Sequence, residues 1–235
     1  VSEKTKTILF CSPHNPVGRV WKKEELLELG NFCIAHDLTI ISDEVHSDLV
    51  YKPHKHTPFA SLSLEIEKRC ITCVGPGKTF NMSGLAISAI IVPEPKLRQK
   101  VQAVYDAMHF AQGNVFGHVA FESAYREGDM WVDELCTYLA QSRDEVEQFC
   151  QSYLAKIVPV KLEGTYLLWL NCDALGLNRK GLESFFYEEA KVGLSTGLSF
   201  GRNGAGFMRL NIAVPKSLLK EALNQIRSAY ERRGY

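Results

Sequence analysis

Three short apolar, β-prone runs constrain this chain more than any other feature: Thr7-Ile8-Leu9-Phe10-Cys11, Leu38-Thr39-Ile40-Ile41 and Ile71-Thr72-Cys73-Val74. Between the first two, residues 24–36 carry Leu26, Leu27, Leu29, Phe32 and Cys33 at roughly helical spacing despite Gly30. Strand, helix, strand is a βαβ unit, and its right-handed crossover implies a parallel sheet. Each run is followed closely by a polar residue, Asn15, Asp43 and Lys78 in turn. In open α/β sheets, ligands bind at the carboxyl ends of the strands.

The remainder of the chain extends this pattern and then changes it. A loop rich in Pro, His and Lys (51–58) leads to a short acidic helix before the third strand, and residues 86–92 read as a further strand. Pro93 and Pro95 introduce a helix with Leu97, Val101, Val104 and Met108 on one face. A long amphipathic segment, 131–154, carries Leu135, Leu139, Val146, Phe149 and Tyr153 and is long enough to bridge two lobes. Beyond it, 158–172 reads as strands around a turn at Gly164, 180–191 as a helix, 207–212 as a strand, and 216–232 as a closing helix with Leu219, Ala222, Leu223, Ile226 and Tyr230 inward. The expected division is a sheet domain over 1–130 and a smaller α+β lobe over 131–235. The chain has no initiator Met and its first strand begins about six residues in, so it reads as part of a longer protein.

Composition bounds the partners. Lys+Arg and Asp+Glu are both 27 in 235 residues, so the formal net charge is zero and there is no global pull towards nucleic acid or anionic membrane. A small solute is the expected partner. No apolar run approaches the roughly 18 residues of a membrane span, and no leader opens the chain, so a cytoplasmic location is expected. The seven cysteines fall largely in apolar or helix-like stretches and read as small buried hydrophobes, not a disulfide framework. Cys70-Ile-Thr-Cys73 has CxxC spacing with no second pair, and structural zinc sites take four ligands, so no metal is expected. His54-Lys55-His56 reads as a solvated or site-lining loop.

The chemistry-bearing residues form a set. Lys78, in Gly75-Pro76-Gly77-Lys78-Thr79-Phe80-Asn81, places an amine in a tight loop where it can face a flat ring. Asp43 supplies a carboxylate that would be stabilised in its charged form beside a pyridinium. Asn15, in the turn Asn15-Pro16-Val17-Gly18, offers an amide donor. In Phe207-Met208-Arg209-Leu210-Asn211-Ile212, period-two alternation separates Met208, Leu210 and Ile212 from Arg209 and Asn211, leaving a planar guanidinium that can clamp a carboxylate bidentately. Amine, carboxylate and amide donor are what pyridoxal phosphate requires of a protein.

In this order, Asn15-Pro16-Val17-Gly18, Asp43-Glu44-Val45-His46-Ser47-Asp48-Leu49, Lys78-Thr79-Phe80-Asn81 and Arg209-Leu210-Asn211-Ile212-Ala213 resemble the signature of fold type I pyridoxal phosphate enzymes of the aminotransferase superfamily, in particular its MalY/PatB-type cystathionine β-lyase, or C-S lyase, branch. The resemblance runs from about residue 6 to 232. It implies a transferase-like α/β fold and a homodimer. It also implies that Asn15 bonds O3′, Asp43 holds the pyridine nitrogen, Lys78 carries the cofactor, Arg209 and Asn15 meet the substrate, and His46 takes the place of a tyrosine near O3′. The chain departs from the family pattern at Gly77, where a serine is frequent, and at Ala86, where many aminotransferases have arginine. The segment that grips the phosphate and stacks on the ring is not visible.

The expected reaction is α,β-elimination on a cystathionine- or cysteine-type amino acid, with an aminotransferase as the alternative, since the two reactions share their early steps. A non-catalytic, cofactor-binding regulatory domain is a third reading. Gly75-Pro76-Gly77-Lys78-Thr79 also imitates the end of a P-loop, but the first glycine of that motif would fall at Thr72, inside a strand.

Overall fold

The computed structural model describes residues 1–108 and 113–235, and the chain divides into two compact units. The first comprises residues 1–13 and 20–134; the second comprises 14–19 and 135–235.

In the first unit, β1 (Thr7–Cys11), α1 (Lys23–Ala35), β2 (Thr39–Asp43), α2 (Leu64–Glu67) and β3 (Cys70–Val74) build three parallel strands. The helix α3 (Pro76–Thr79) follows, and β4 (Ala89–Ile91) closes the sheet antiparallel to β3, giving the order β1-β2-β3-β4. The core gathers Phe10, Leu26, Cys33, Leu38, Ile40, Phe59, Ile66 and Cys70. Each large side chain so buried contributes about 1.5–3 kcal/mol. Glu25 Oε2 accepts the Lys22 N–H at the start of α1, and Ser63 Oγ caps α2 through Ile66 N–H. Gly30 is where α1 meets α2, because a Cβ there would stand 2.4 Å from Ile66 Cδ1.

Some expected faces differ. The buried line of α1 is Leu26, Gly30 and Cys33, while Phe32 lies off that stripe, exposed and against His36. The helix α4 (Pro95–Ala107) forms, but of its expected apolar face Leu97 and Val101 are only half-buried and Val104 and Met108 remain 57% and 56% exposed. A further helix, α5 (Val115–Glu127), was not legible in the sequence, because only Gly117 and Ala124 on it are buried. Cys70 and Cys73, three apart on one strand, face opposite sides, Cys70 into the core.

The 25-residue α6 (Asp129–Tyr153) runs across the boundary at Glu134, with Leu139, Ser142, Val146 and Cys150 buried. In the second unit, β5 (Val158–Pro159), β6 (Leu167–Asn171), α7 (Arg179–Ser184, continued by a π-helical turn over Phe185–Glu189), β7 (Ser195–Thr196) and β8 (Phe207–Asn211) form an antiparallel sheet of order β5-β6-β8-β7. As the alternation requires, Met208, Leu210 and Ile212 are buried. Closing the chain, α8 (Lys216–Arg232) buries Leu219, Leu223, Ile226, Ala229 and Tyr230, one face at helical period. Burial pushes the Cys70 and Cys150 thiols up to about 12, so both are inert. Among the described residues, no helix is long and apolar enough to cross a membrane.

Candidate active site

Asp43 ends β2, in register with Cys11 of β1 and Cys73 of β3. Its position at the carboxyl end of a strand flanked on both sides follows from the βαβ crossover. The Val45 N–H donates to Asp43 Oδ1 at 3.2 Å, which fixes the carboxylate and leaves Oδ2 without a partner among the described residues. Burial raises the pKa of the Cys73 thiol, and the Asp43 charge adds to the rise, so the two groups share one side of the sheet end.

Glu44 turns the other way. It is 2% exposed and accepts from Ser42 Oγ (2.9 Å), Phe59 N–H (3.0 Å) and His56 Nε2 (2.8 Å). A carboxylate buried this deeply requires such donors. His56 is therefore the anchor of the 51–58 loop, instead of a solvated residue. His46, one turn further on, is also buried.

Lys78 sits in α3, so the tight loop expected is a single helical turn. Pro76 at the first helical position has its φ already set for that turn. The backbone around the lysine is pinned: Gly77 O accepts from Met82 N–H (3.1 Å) and Ser83 Oγ (3.0 Å), and Phe80 N–H donates to Pro76 O (2.8 Å). Next to it, Thr79 is fully buried and donates to Asp48 Oδ2 at 2.7 Å. The Tyr125 hydroxyl donates to the same oxygen at 3.2 Å. The Phe80 ring meets Tyr125 edge-on and stacks with Trp131, at centroid separations of 5.4 and 5.6 Å. The Lys78 side chain itself is exposed, with no hydrogen bond or ion pair among the described residues. The result is a fixed base carrying a free amine. Asp43 thus ends one strand and Lys78 follows the carboxyl end of its parallel neighbour.

In the second unit the structure brings Arg209 and Asn15 together. Arg209 Nη1 donates to Asn15 Oδ1 at 2.9 Å and Nη2 to Ser195 Oγ at 3.2 Å, while the guanidinium lies 4.6 Å from the Phe200 ring centroid. Trp169, opposite Arg209 in the β6–β8 register, supports Phe200 edge-on and stacks on Phe207. The Asn15 turn is held by the Glu163 and Gly164 N–H groups, both donating to Gly18 O (2.9 and 3.0 Å). Gly18 has φ +76°, and a Cβ on it would stand 2.1 Å from Leu162 Cδ1. Partial burial lowers the Arg209 pKa, and Tyr166 opposes that shift. Each Nη carries a second N–H, so a guanidinium held by neutral partners keeps its charge and two donors for an incoming carboxylate.

Sequence reasoning missed Glu44–His56, Asp48–Thr79–Tyr125, Ser195 and Phe200. Thr79 and Asp48 lie inside motifs already singled out, so a buried threonine beside the lysine was the available signal. Ser195 and Phe200 carried none, because Ser195 reaches Arg209 from the neighbouring strand β7 and Phe200 from a short 3-10 turn after it.

The donor set fits pyridoxal phosphate: a carboxylate with one oxygen tethered and the other open, and an unengaged amine on a pinned turn. Residues 1–226 match the family of class I and II aminotransferases. The chain belongs to this family. It is 42% identical over 221 residues to the cystathionine β-lyase PatB of Bacillus subtilis (strain 168), a match covering 94% of this chain and 57% of that protein. It is 31% identical over 228 residues to an aspartate aminotransferase of Pyrococcus abyssi, covering 96% of this chain and 57% of that one. Cystalysin from Treponema denticola, a structure containing pyridoxal 5′-phosphate, superposes with a TM-score of 0.93 at 35% identity, covering 97% of this chain and 58% of cystalysin. The chain therefore spans somewhat over half the length of the relatives it matches, and its α/β fold is that of the fold type I pyridoxal phosphate enzymes.

Proposed function

We propose that the protein is a pyridoxal phosphate-dependent carbon–sulfur β-lyase, converting a cystathionine- or cysteine-type amino acid and water to a thiol, pyruvate and ammonia. The observation that carries this reading is the 42% identity to a cystathionine β-lyase over 94% of the chain. When bound, the cofactor supplies an electron sink for the substrate's Cα carbanion.

The chain's own residues would do the following. Lys78 Nζ would hold the cofactor at its aldehyde and would be the group that moves the proton at the substrate's Cα. Its pinned turn and unengaged amine support that double duty. Asp43 Oδ2 keeps the pyridine nitrogen protonated, a charge pairing that favours the ionised form of each group. Asn15 spends its carbonyl on Arg209, which leaves Nδ2 to donate to O3′. His46 stands near O3′ by its place in the motif. Arg209 takes the substrate α-carboxylate with the second N–H of each Nη. By the family resemblance, the working unit is a homodimer, which light scattering would check; the cytoplasmic location expected from the apolar pattern would be checked by cell fractionation.

The match to an aspartate aminotransferase favours a second reading, transamination with the same residues in the same roles. The two separate in one assay. Given cystathionine and no keto acid, a lyase releases pyruvate continuously; strict dependence on a keto-acid acceptor would make the protein an aminotransferase.

A further inference from the structure

Asp48 has no place in the roles above, yet it ties together the parts that carry them. Its Oδ2 accepts from the buried Thr79 hydroxyl at 2.7 Å and from the Tyr125 hydroxyl at 3.2 Å. Thr79 is the residue after Lys78, Asp48 follows β2 and Asp43 in the same loop, and Tyr125 lies on α5. One carboxylate oxygen therefore links the segment bearing the ring-nitrogen partner, the turn bearing the amine, and a helix. The aromatic group Phe80–Tyr125–Trp131 backs the same junction.

The geometry points to Asp48 as a positioning residue that fixes the Lys78 turn relative to the Asp43 strand end, a role that rests on the cofactor reading above. A four-residue helix has too few hydrogen bonds of its own to hold a fixed direction. The bonds to the Gly77 carbonyl come from Met82 and Ser83, just downstream; without a tie to the loop after β2, the reactive side chain would sample a wider arc. The Thr79–Asp48 bond supplies the tie at the residue next to the amine, and Tyr125 orients the carboxylate that receives it. Burial and the Asp48 charge push the Tyr125 phenol above its usual pKa, so its hydroxyl stays a donor well into alkaline pH.

The test uses the intact protein loaded with pyridoxal phosphate, and variants Asp48→Ala, Asp48→Asn, Thr79→Val and Thr79→Ser. The readouts are the pH midpoint of the visible band from the Lys78–cofactor linkage, kcat and KM for cystathionine, and thermal stability. Asp48→Ala and Thr79→Val should each move the band's midpoint and lower kcat about 10- to 100-fold with little change in KM, the scale of a misplaced reacting group. Asp48→Asn and Thr79→Ser, which keep an acceptor and a hydroxyl, should restore most of both. The double variant Asp48→Ala/Thr79→Val should be no worse than Asp48→Ala alone, since that variant already cuts the Thr79–Asp48 bond. Where Asp48→Ala does not fold, Thr79→Val decides. An unmoved midpoint and kcat in the folded variants, with only thermal stability reduced, would overturn the positioning role. A wild-type protein with no visible band would instead defeat the cofactor reading, and this role with it.

Discussion

The two units hold their candidate site groups in opposite ways. Lys78 is left unengaged on a backbone pinned on either side, whereas the Arg209 guanidinium is itself gripped, by Asn15, Ser195 and the Phe200 ring. The difference matches the work assigned to each. An amine that must hold a cofactor, let go and then carry a proton requires freedom at its tip and a fixed root. A cation that only receives a carboxylate gains from being held in one orientation before the substrate arrives, because less rotamer entropy is lost on binding.

The largest effect should come from removing the unengaged group. Lys78→Ala should lower kcat by about 10⁴-fold or more and abolish the visible band, measured by cystathionine turnover and absorbance; residual turnover near the wild-type rate would break the comparison at its root. Asp43→Asn should leave the lysine linkage intact and lower kcat about 10²- to 10³-fold, as expected when a preorganised charge is lost from a reacting centre. The gripped group should behave differently. Arg209→Lys should raise KM for cystathionine about 10- to 100-fold with kcat nearly preserved, since it exchanges a planar two-pronged donor for a point charge.

Gly18→Ala sharpens the contrast from within the second unit. The positive φ and the conflict with Leu162 should cost about 1–3 kcal/mol in urea unfolding, and the shifted Asn15 should raise KM more than it lowers kcat. Phe200→Leu should have the smallest effect, a KM increase of about two- to fivefold from loss of the ring face under the guanidinium.

The sequence already carried much of this architecture. The closing helix spans Lys216–Arg232, as its apolar spacing predicts, and the alternation in β8 separates Arg209 from Met208 and Leu210 as expected. Long periodic segments are legible because burial imposes the period. Helix α5 was not, since its apolar residues Val115, Phe116 and Val119 are exposed and impose none. The single turn of α3 is too short to show a period. At the site, the residue types of Asn15, Asp43, Lys78 and Arg209 stood out because each offers chemistry unusual at a strand end or turn. Their supports did not. Asp48 and Glu44 read as ordinary acids until their buried donors are seen, and Ser195 reaches Arg209 from a two-residue strand that leaves no pattern.

The most direct test of the account is borohydride reduction of the intact protein with pyridoxal phosphate, followed by peptide mapping of the label. The account predicts one reduced pyridoxyl group on the peptide containing Lys78, lost in Lys78→Ala. Label on a different lysine, or none above background, would contradict it.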